Sequence, residues 1–298
     1  MKTPFSDHRD HRAIHLFAIL LCSVLATAVA AADSVMVPVA NESGKPQPRV
    51  TAKPLQQAPV DYNHPPREYI SHRVLGWEVL MEKQLADEDA ATAEASLRRV
   101  ETMLGKIADV LPTARLPNLQ NVKVFILFGA KAKAGGRDNG LEYFRVDAPM
   151  HHAWLDARMG RSIVIYDAAN FHKLSDAWTL KSLVHEFGHA QHLEHWPEDC
   201  ADIYDAWQAA MKAGRYQVVK EEDKDTHLPN YAAQNHLEYF AELTAMYFVG
   251  GSYFPKNRAG LKTYDPLGFA MIEKMWGIHS PPPTPSEPAS AASAGKNE

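Results

Sequence analysis

The stretch Thr179–Trp196, TLKSLVHEFGHAQHLEHW, decides how the rest of this chain is read. Within it lies His185-Glu186-Phe187-Gly188-His189, an H-E-x-x-H pattern. Two histidines four residues apart on a helix stand one turn above each other on one face. Both imidazoles then reach a single tetrahedral zinc ion. Glu186 follows the first histidine, which brings its carboxylate near a water in the open position of such a site. There it can serve as general base.

The flanking residues predict a helix. Leu180, Leu183, Val184 and Phe187 are apolar at helical spacing, and Ser175 and Asp176 are candidate N-caps. Pro197 biases Trp196 out of the helical region and ends the element. Gly188 costs about 1 kcal/mol of helix propensity relative to alanine. A glycine at this place lets another segment approach the metal helix closely.

Only three positions of H-E-x-x-H are fixed, so the third ligand carries the assignment. Two routes to it exist. His195 continues the spacing H-E-x-x-H-x-x-G-x-x-H of metzincins, except that His192 replaces the glycine. That glycine is where the chain leaves the helix, so its loss matters. If the helix runs on to Trp196, His195 lies about 15 Å along the axis from His185, and His192 about 10 Å. The second route takes a carboxylate from Asn235–Val249, NHLEYFAELTAMYFV, a predicted helix closed by Gly250-Gly251. Glu238 and Glu242 project from one face of it at i and i+4. The helix is otherwise apolar almost all round, so two carboxylates on it need a partner. Glu238 would complete a His-His-Glu site, while Glu242 would accept the other ring N–H of His185 and orient it.

Working outward, the 298 residues carry a formal charge of −5 with no basic cluster, which argues against a nucleic-acid partner. Cys22 and Cys200 are the only cysteines, which excludes a disulfide framework and a Cys-based zinc site. Arg9 and Arg12 precede the apolar run AIHLFAILLCSVLATAVA, and small residues end it near Ala30–Ala32. Residues 1–32 therefore read as a secretory signal, placing the protein in the periplasm or outside the cell. An uncleaved membrane anchor is the alternative, since the run is nearly long enough to span. After signal cleavage no stable membrane association is expected. Residues 33–66 read as a Pro-rich linker, and residues 279–298, with PPPTPSEPASAASAGKNE, as a disordered tail.

The intervening residues 67–278 are expected to hold one α+β domain. Tyr69–Leu80 is apolar but ambiguous between helix and strand. Asp87–Leu111 has a stripe of Leu97, Val100, Leu104, Ile107 and Leu111 and predicts a helix. Val122–Phe128, Leu141–Val146 and Ser162–Tyr166 predict strands, KAKAGGRDNG between the first two a surface loop, and Ala201–Met211 a further helix. His151 and His152 read as loop histidines. Helices, then strands, then the metal helix fit a mixed sheet beside an active-site helix.

The combination of H-E-F-G-H with Y-A-A-Q-N-H-L-E-Y-F-A-E resembles the catalytic domain of anthrax lethal factor and related gluzincin zinc endopeptidases. The resemblance spans about Val122 to Gly277 and is specific around the two helices. It implies a zincin-like fold, one zinc per chain and a peptide or protein substrate, with Glu238 as third ligand. It also implies that Tyr231, seven residues before that ligand, stabilises the developing oxyanion or the leaving group. The family's toxin-specific binding domains have no counterpart here, so a toxin role is not implied. Two other functions fit the same residues: a non-catalytic, exported zinc-binding protein, and a zinc amidase acting on a non-protein amide. Retention of both Glu186 and Tyr231 argues against the first, since neither is needed to hold zinc.

Overall fold

A computed structural model of the chain describes residues 60–217, 219–220, 225–226, 230–251 and 254–278. The expected signal, residues 33–59 of the expected linker and the expected tail lie outside the described residues. The protein is α+β, and its described residues gather into two compact units.

The first unit comprises described residues up to His72 together with Val79–Leu97 and Val124–Lys173. A five-stranded mixed sheet organises it. The strands are β1 (Tyr69–Val74), β2 (Trp77–Glu82), β3 (Lys123–Ile126), β4 (Leu141–Phe144) and β5 (Ser162–Ile165), in the order β1-β2-β3-β5-β4. β2 pairs parallel with β3, Val79 opposite Val124, and β4 pairs antiparallel with β5, Leu141 opposite Ile165. The ambiguous stretch at Tyr69–Leu80 is therefore two strands. They join through Leu75-Gly76, both at positive φ (49° and 94°), the backbone of a tight hairpin turn. Periodicity did not separate strand from helix here because β2 is buried on one face and half-buried on the other.

Helices α1 (Lys83–Glu88), α4 (Ala148–His151) and α5 (Ala168–Lys173) belong to this unit, α2 (Ala90–Val110) begins in it and continues into the second, and α3 (Leu116–Leu119) belongs to the second. Packed structure begins before Arg67. Tyr62, inside the expected linker, is fully buried with Phe125, Leu127, Val164 and Tyr166 in one core cluster. Its ring lies under the Arg67 guanidinium, 4.7 Å from centroid to Cζ, and its hydroxyl accepts from Arg137 N at 3.2 Å. The loop Gly129–Gly140 is tied down as well, since Arg67 donates to Gly135 O at 2.7 Å while pairing with buried Glu82.

The second unit comprises Arg73–Glu78, Arg98–Lys123 and the described residues from Leu174 onward. It holds α6 (Asp176–His195), α7 (Ala201–Lys212), α8 (His236–Phe248), α9 (Arg258–Tyr264) and α10 (Pro266–Trp276). α6 packs most extensively on α8, and α8 in turn on α7, α9 and α10. Phe187, Phe240, Leu243, Met246, Ile272 and Trp276 form the interior of this unit, each 1% exposed or less. The buried carboxylate of Asp265 is matched: it accepts from Tyr239 at 2.6 Å and Tyr216 at 3.1 Å while capping α10 through Gly268 N. Among the described residues no helix is long and apolar enough to cross a membrane.

Candidate metal centre

The site is built on α6 and α8, within the second unit. Ser175 starts α6, its hydroxyl accepting from Trp178 N at 3.2 Å, and the helix runs unbroken to His195. Asn235 starts α8 in the same way, accepting from Glu238 N at 2.8 Å, which fixes the first turn that carries Glu238. The helices approach closely at Gly188. A Cβ there would lie 3.0 Å from Ala241 Cα and 3.3 Å from Thr244 Cβ. The glycine thus gives up helix propensity so that the ligand face of α8 can meet that of α6.

Three predicted ligands converge. His185 Nε2 lies 3.1 Å from Glu238 Oε2 and 3.2 Å from His189 Nε2, and His189 Nε2 lies 3.6 Å from Glu238 Oε2. Ligand atoms about 2.0–2.1 Å from a tetrahedral ion stand about 3.3 Å apart, so the triangle has the size of one face of such a site. Glu238 Oε2 is buried and makes no hydrogen bond. A proton on one ring nitrogen can satisfy only one of these approaches, whereas a cation satisfies all three. The three side chains keep 10, 11 and 12% exposure, so the centre is recessed but open to a small ligand. Among the described residues these three form the group of His, Cys, Asp and Glu able to hold a metal ion.

The electrostatics agree. Burial pulls the His185 pKa down, but the carboxylates of Glu238, Glu242 and Glu186 outweigh it and push the value up to about 10. Burial raises the Glu238 carboxyl, while His189 and His185 outweigh that and hold it well below the usual carboxylate range. The first shift favours positive charge beside His185, and the second keeps Glu238 an anionic carboxylate. Around the point of convergence, α6 and α8 bury three carboxylates (Glu186, Glu238, Glu242) and one ammonium, Lys181. With both imidazoles neutral, as metal ligation requires, their net charge of −2 is matched by one divalent cation.

No known protein-family model matches this sequence, and no curated protein matches it. The reading of the site therefore rests on its own geometry.

The remaining predicted residues stand as follows. Glu186 is 3% exposed on the same turn of α6 as His185. Tyr231 lies on a short 3-10 turn, Tyr231–Ala233, held by Asn230 Oδ1 accepting from Ala232 N at 3.0 Å. Its ring meets that of His185 edge-on, with centroids 6.4 Å apart. Glu242 faces the expected atom of His185, but its Oε2 is 3.8 Å from Nδ1, longer than a hydrogen bond. Its close partner is Lys181, whose Nζ lies 2.9 Å from each carboxylate oxygen.

The metzincin route is not what the helix allows. α6 stays helical through its last turn and leaves His195 exposed. His192 is fully buried and instead faces the carbonyl of Pro197 at 3.1 Å. His151 pairs with Asp147 at 3.6 Å and stays outside the metal group.

Lys181 was missed from the sequence. Its position carried a signal: it precedes His185 by four residues and so shares the ligand face of α6. A lysine on a face that must be buried needs a carboxylate, and Glu242 is the one supplied.

Proposed function

We propose that this protein is an exported, zinc-dependent endopeptidase of the gluzincin type, resembling the lethal factor catalytic domain in the motifs of its two site helices. The observation that carries the proposal is the triangle of His185 Nε2, His189 Nε2 and Glu238 Oε2, with Glu186 beside it on α6 and Tyr231 against His185. Two imidazoles and one carboxylate in tetrahedral dimensions suit zinc better than the oxygen-seeking magnesium or calcium. The zincin-like fold is part of this proposal, supported by the metal helix, the second ligand helix and the mixed sheet.

Zinc held in this site would supply a Lewis acid able to polarise the scissile carbonyl and acidify a water. His185, His189 and Glu238 would hold it. Glu186 removes the proton from the attacking water and hands it to the departing amine nitrogen. The Tyr231 hydroxyl donates a hydrogen bond to the carbonyl oxygen as negative charge builds there, an interaction stronger in the transition state than in the ground state.

The test is digestion of a proteome-derived peptide library by the purified protein, with and without a chelator, followed by zinc restoration. Cleavage that stops on chelation and returns with zinc is expected. A protein that carries zinc yet cleaves no peptide would move the proposal to an amidase or to a non-catalytic zinc protein.

A further inference from the structure

We propose that Lys181 is a positioning residue of the metal centre: it holds the Glu242 carboxylate opposite His185 Nδ1 so that the imidazole presents Nε2 to the ion. The proposal rests on the zinc reading above. It concerns a residue that neither the H-E-x-x-H pattern nor the E-Y-F-A-E run contains.

Three observations carry it. First, Lys181, His185 and His189 succeed one another at four-residue steps and share one face of α6, so the ammonium sits on the ligand face. Second, the ion pair is almost sealed, with the Lys181 side chain 8% and the Glu242 side chain 2% exposed. A buried ion pair is a weak source of stability, because desolvating both charges offsets most of their attraction. Apolar residues of similar volume would serve the packing as well. Stability alone therefore does not account for the pair. Third, Nζ donates a hydrogen bond to Glu242 Oε1 at 2.9 Å and also lies 2.9 Å from Oε2, so one ammonium anchors the end of the carboxylate. The other oxygen, Oε2, is the atom that faces His185 Nδ1 at 3.8 Å.

The consequence is a three-member chain running Lys181–Glu242–His185. Without the ammonium, the Glu242 carboxylate loses the hydrogen bond to its Oε1 and leaves a buried charge without this counter-ion. The anion that faces His185 Nδ1 then loses its anchor, although Lys181 itself never touches the ion. Partners of this kind typically alter metal affinity by about 10–100-fold when removed.

The experiment measures zinc affinity of the full chain by competition with a chromogenic chelator. It compares wild type, Lys181→Met, Glu242→Gln and the double variant, with unfolding followed in excess chelator as a check on the fold. Each single change is expected to weaken zinc binding by about 10–100-fold. The double variant is expected to be no weaker than the weaker single, because both act through one chain. Cobalt(II) in place of zinc adds a spectroscopic readout that general loosening of the fold would not reproduce. Its visible bands should shift in the same direction in Lys181→Met and Glu242→Gln.

Zinc affinity of Lys181→Met within twofold of wild type overturns the proposal. So do multiplicative losses in the double variant, or cobalt bands unchanged from wild type. If Lys181→Met does not fold, Lys181→Gln takes its place, and unchanged affinity there overturns the proposal equally. Wild-type protein that binds no zinc would instead remove the metal reading itself, which separates the two failures.

Discussion

Gly188→Ala sets two effects of the same methyl group against each other. In an isolated helix the change gains about 1 kcal/mol, because glycine is the poorer helix former. Here the new Cβ would stand 3.0 Å from Ala241 Cα and 3.3 Å from Thr244 Cβ. Carbon atoms in comfortable contact sit about 3.5–4.0 Å apart. The nearest obstacle is backbone, which no side-chain rotation relieves, so α8 must retreat from α6 by a few tenths of an ångström. Overpacking of this kind costs about 1–3 kcal/mol. Taking about 2 kcal/mol less the propensity gain leaves a net loss of about 1 kcal/mol, or a Tm about 2–4 °C lower for a domain of this size. The functional effect is larger. Ala241 is three residues from Glu238 on α8, and metal–ligand distances tolerate only about 0.2 Å. Zinc affinity should fall at least tenfold, on the order of the effect of losing a supporting residue. The assay pairs unfolding in excess chelator with zinc competition. A Gly188→Ala protein with a higher Tm and unchanged zinc affinity would refute the argument that this glycine sets the distance between the ligand helices.

Glu186→Gln should keep zinc bound and the fold intact, since the amide is nearly isosteric and the residue is no ligand, while kcat falls by several orders of magnitude. Near-normal turnover, measured on any cleaved peptide, would assign the base to another residue. Tyr231→Phe should lower kcat about a hundredfold with little change in KM and full zinc content, because the hydroxyl acts chiefly in the transition state. Unchanged kcat would withdraw Tyr231 from the site. Ser175→Ala removes the cap of α6, and chemical denaturation should show a loss of about 1 kcal/mol with zinc affinity preserved, since the cap lies ten residues from the first ligand.

Much of the site was legible because its chemistry conflicts with its surroundings. Glu238 and Glu242 interrupt a helix that is apolar on every side, and such residues have to meet a compensating group. His185 and His189 share a face by spacing alone. The rejection of His195 followed from helix rise, once no residue before Pro197 was there to break α6. The helices Ala90–Val110 and His236–Phe248 lie within one to three residues of their expected bounds, since apolar stripes and caps act locally. What stayed hidden depends on partners distant in sequence. Lys181 reads as a solvated lysine until Glu242, 61 residues away, is placed against it. Tyr62 sits in a stretch with no periodicity, and its burial follows from Phe125, Val164 and Tyr166, which no local pattern reveals. The hairpin at Leu75-Gly76 was missed because Leu75 takes a positive φ that its side chain disfavours, leaving glycine as half a turn signal.

The central claim is that one metal ion is held by His185, His189 and Glu238. Elemental analysis of protein purified without chelator, comparing wild type, Glu238→Ala and His195→Ala, tests it most directly. The account predicts about one equivalent of zinc in wild type, the same in His195→Ala, and loss of most of it in Glu238→Ala. Full zinc in Glu238→Ala together with its loss in His195→Ala would contradict it.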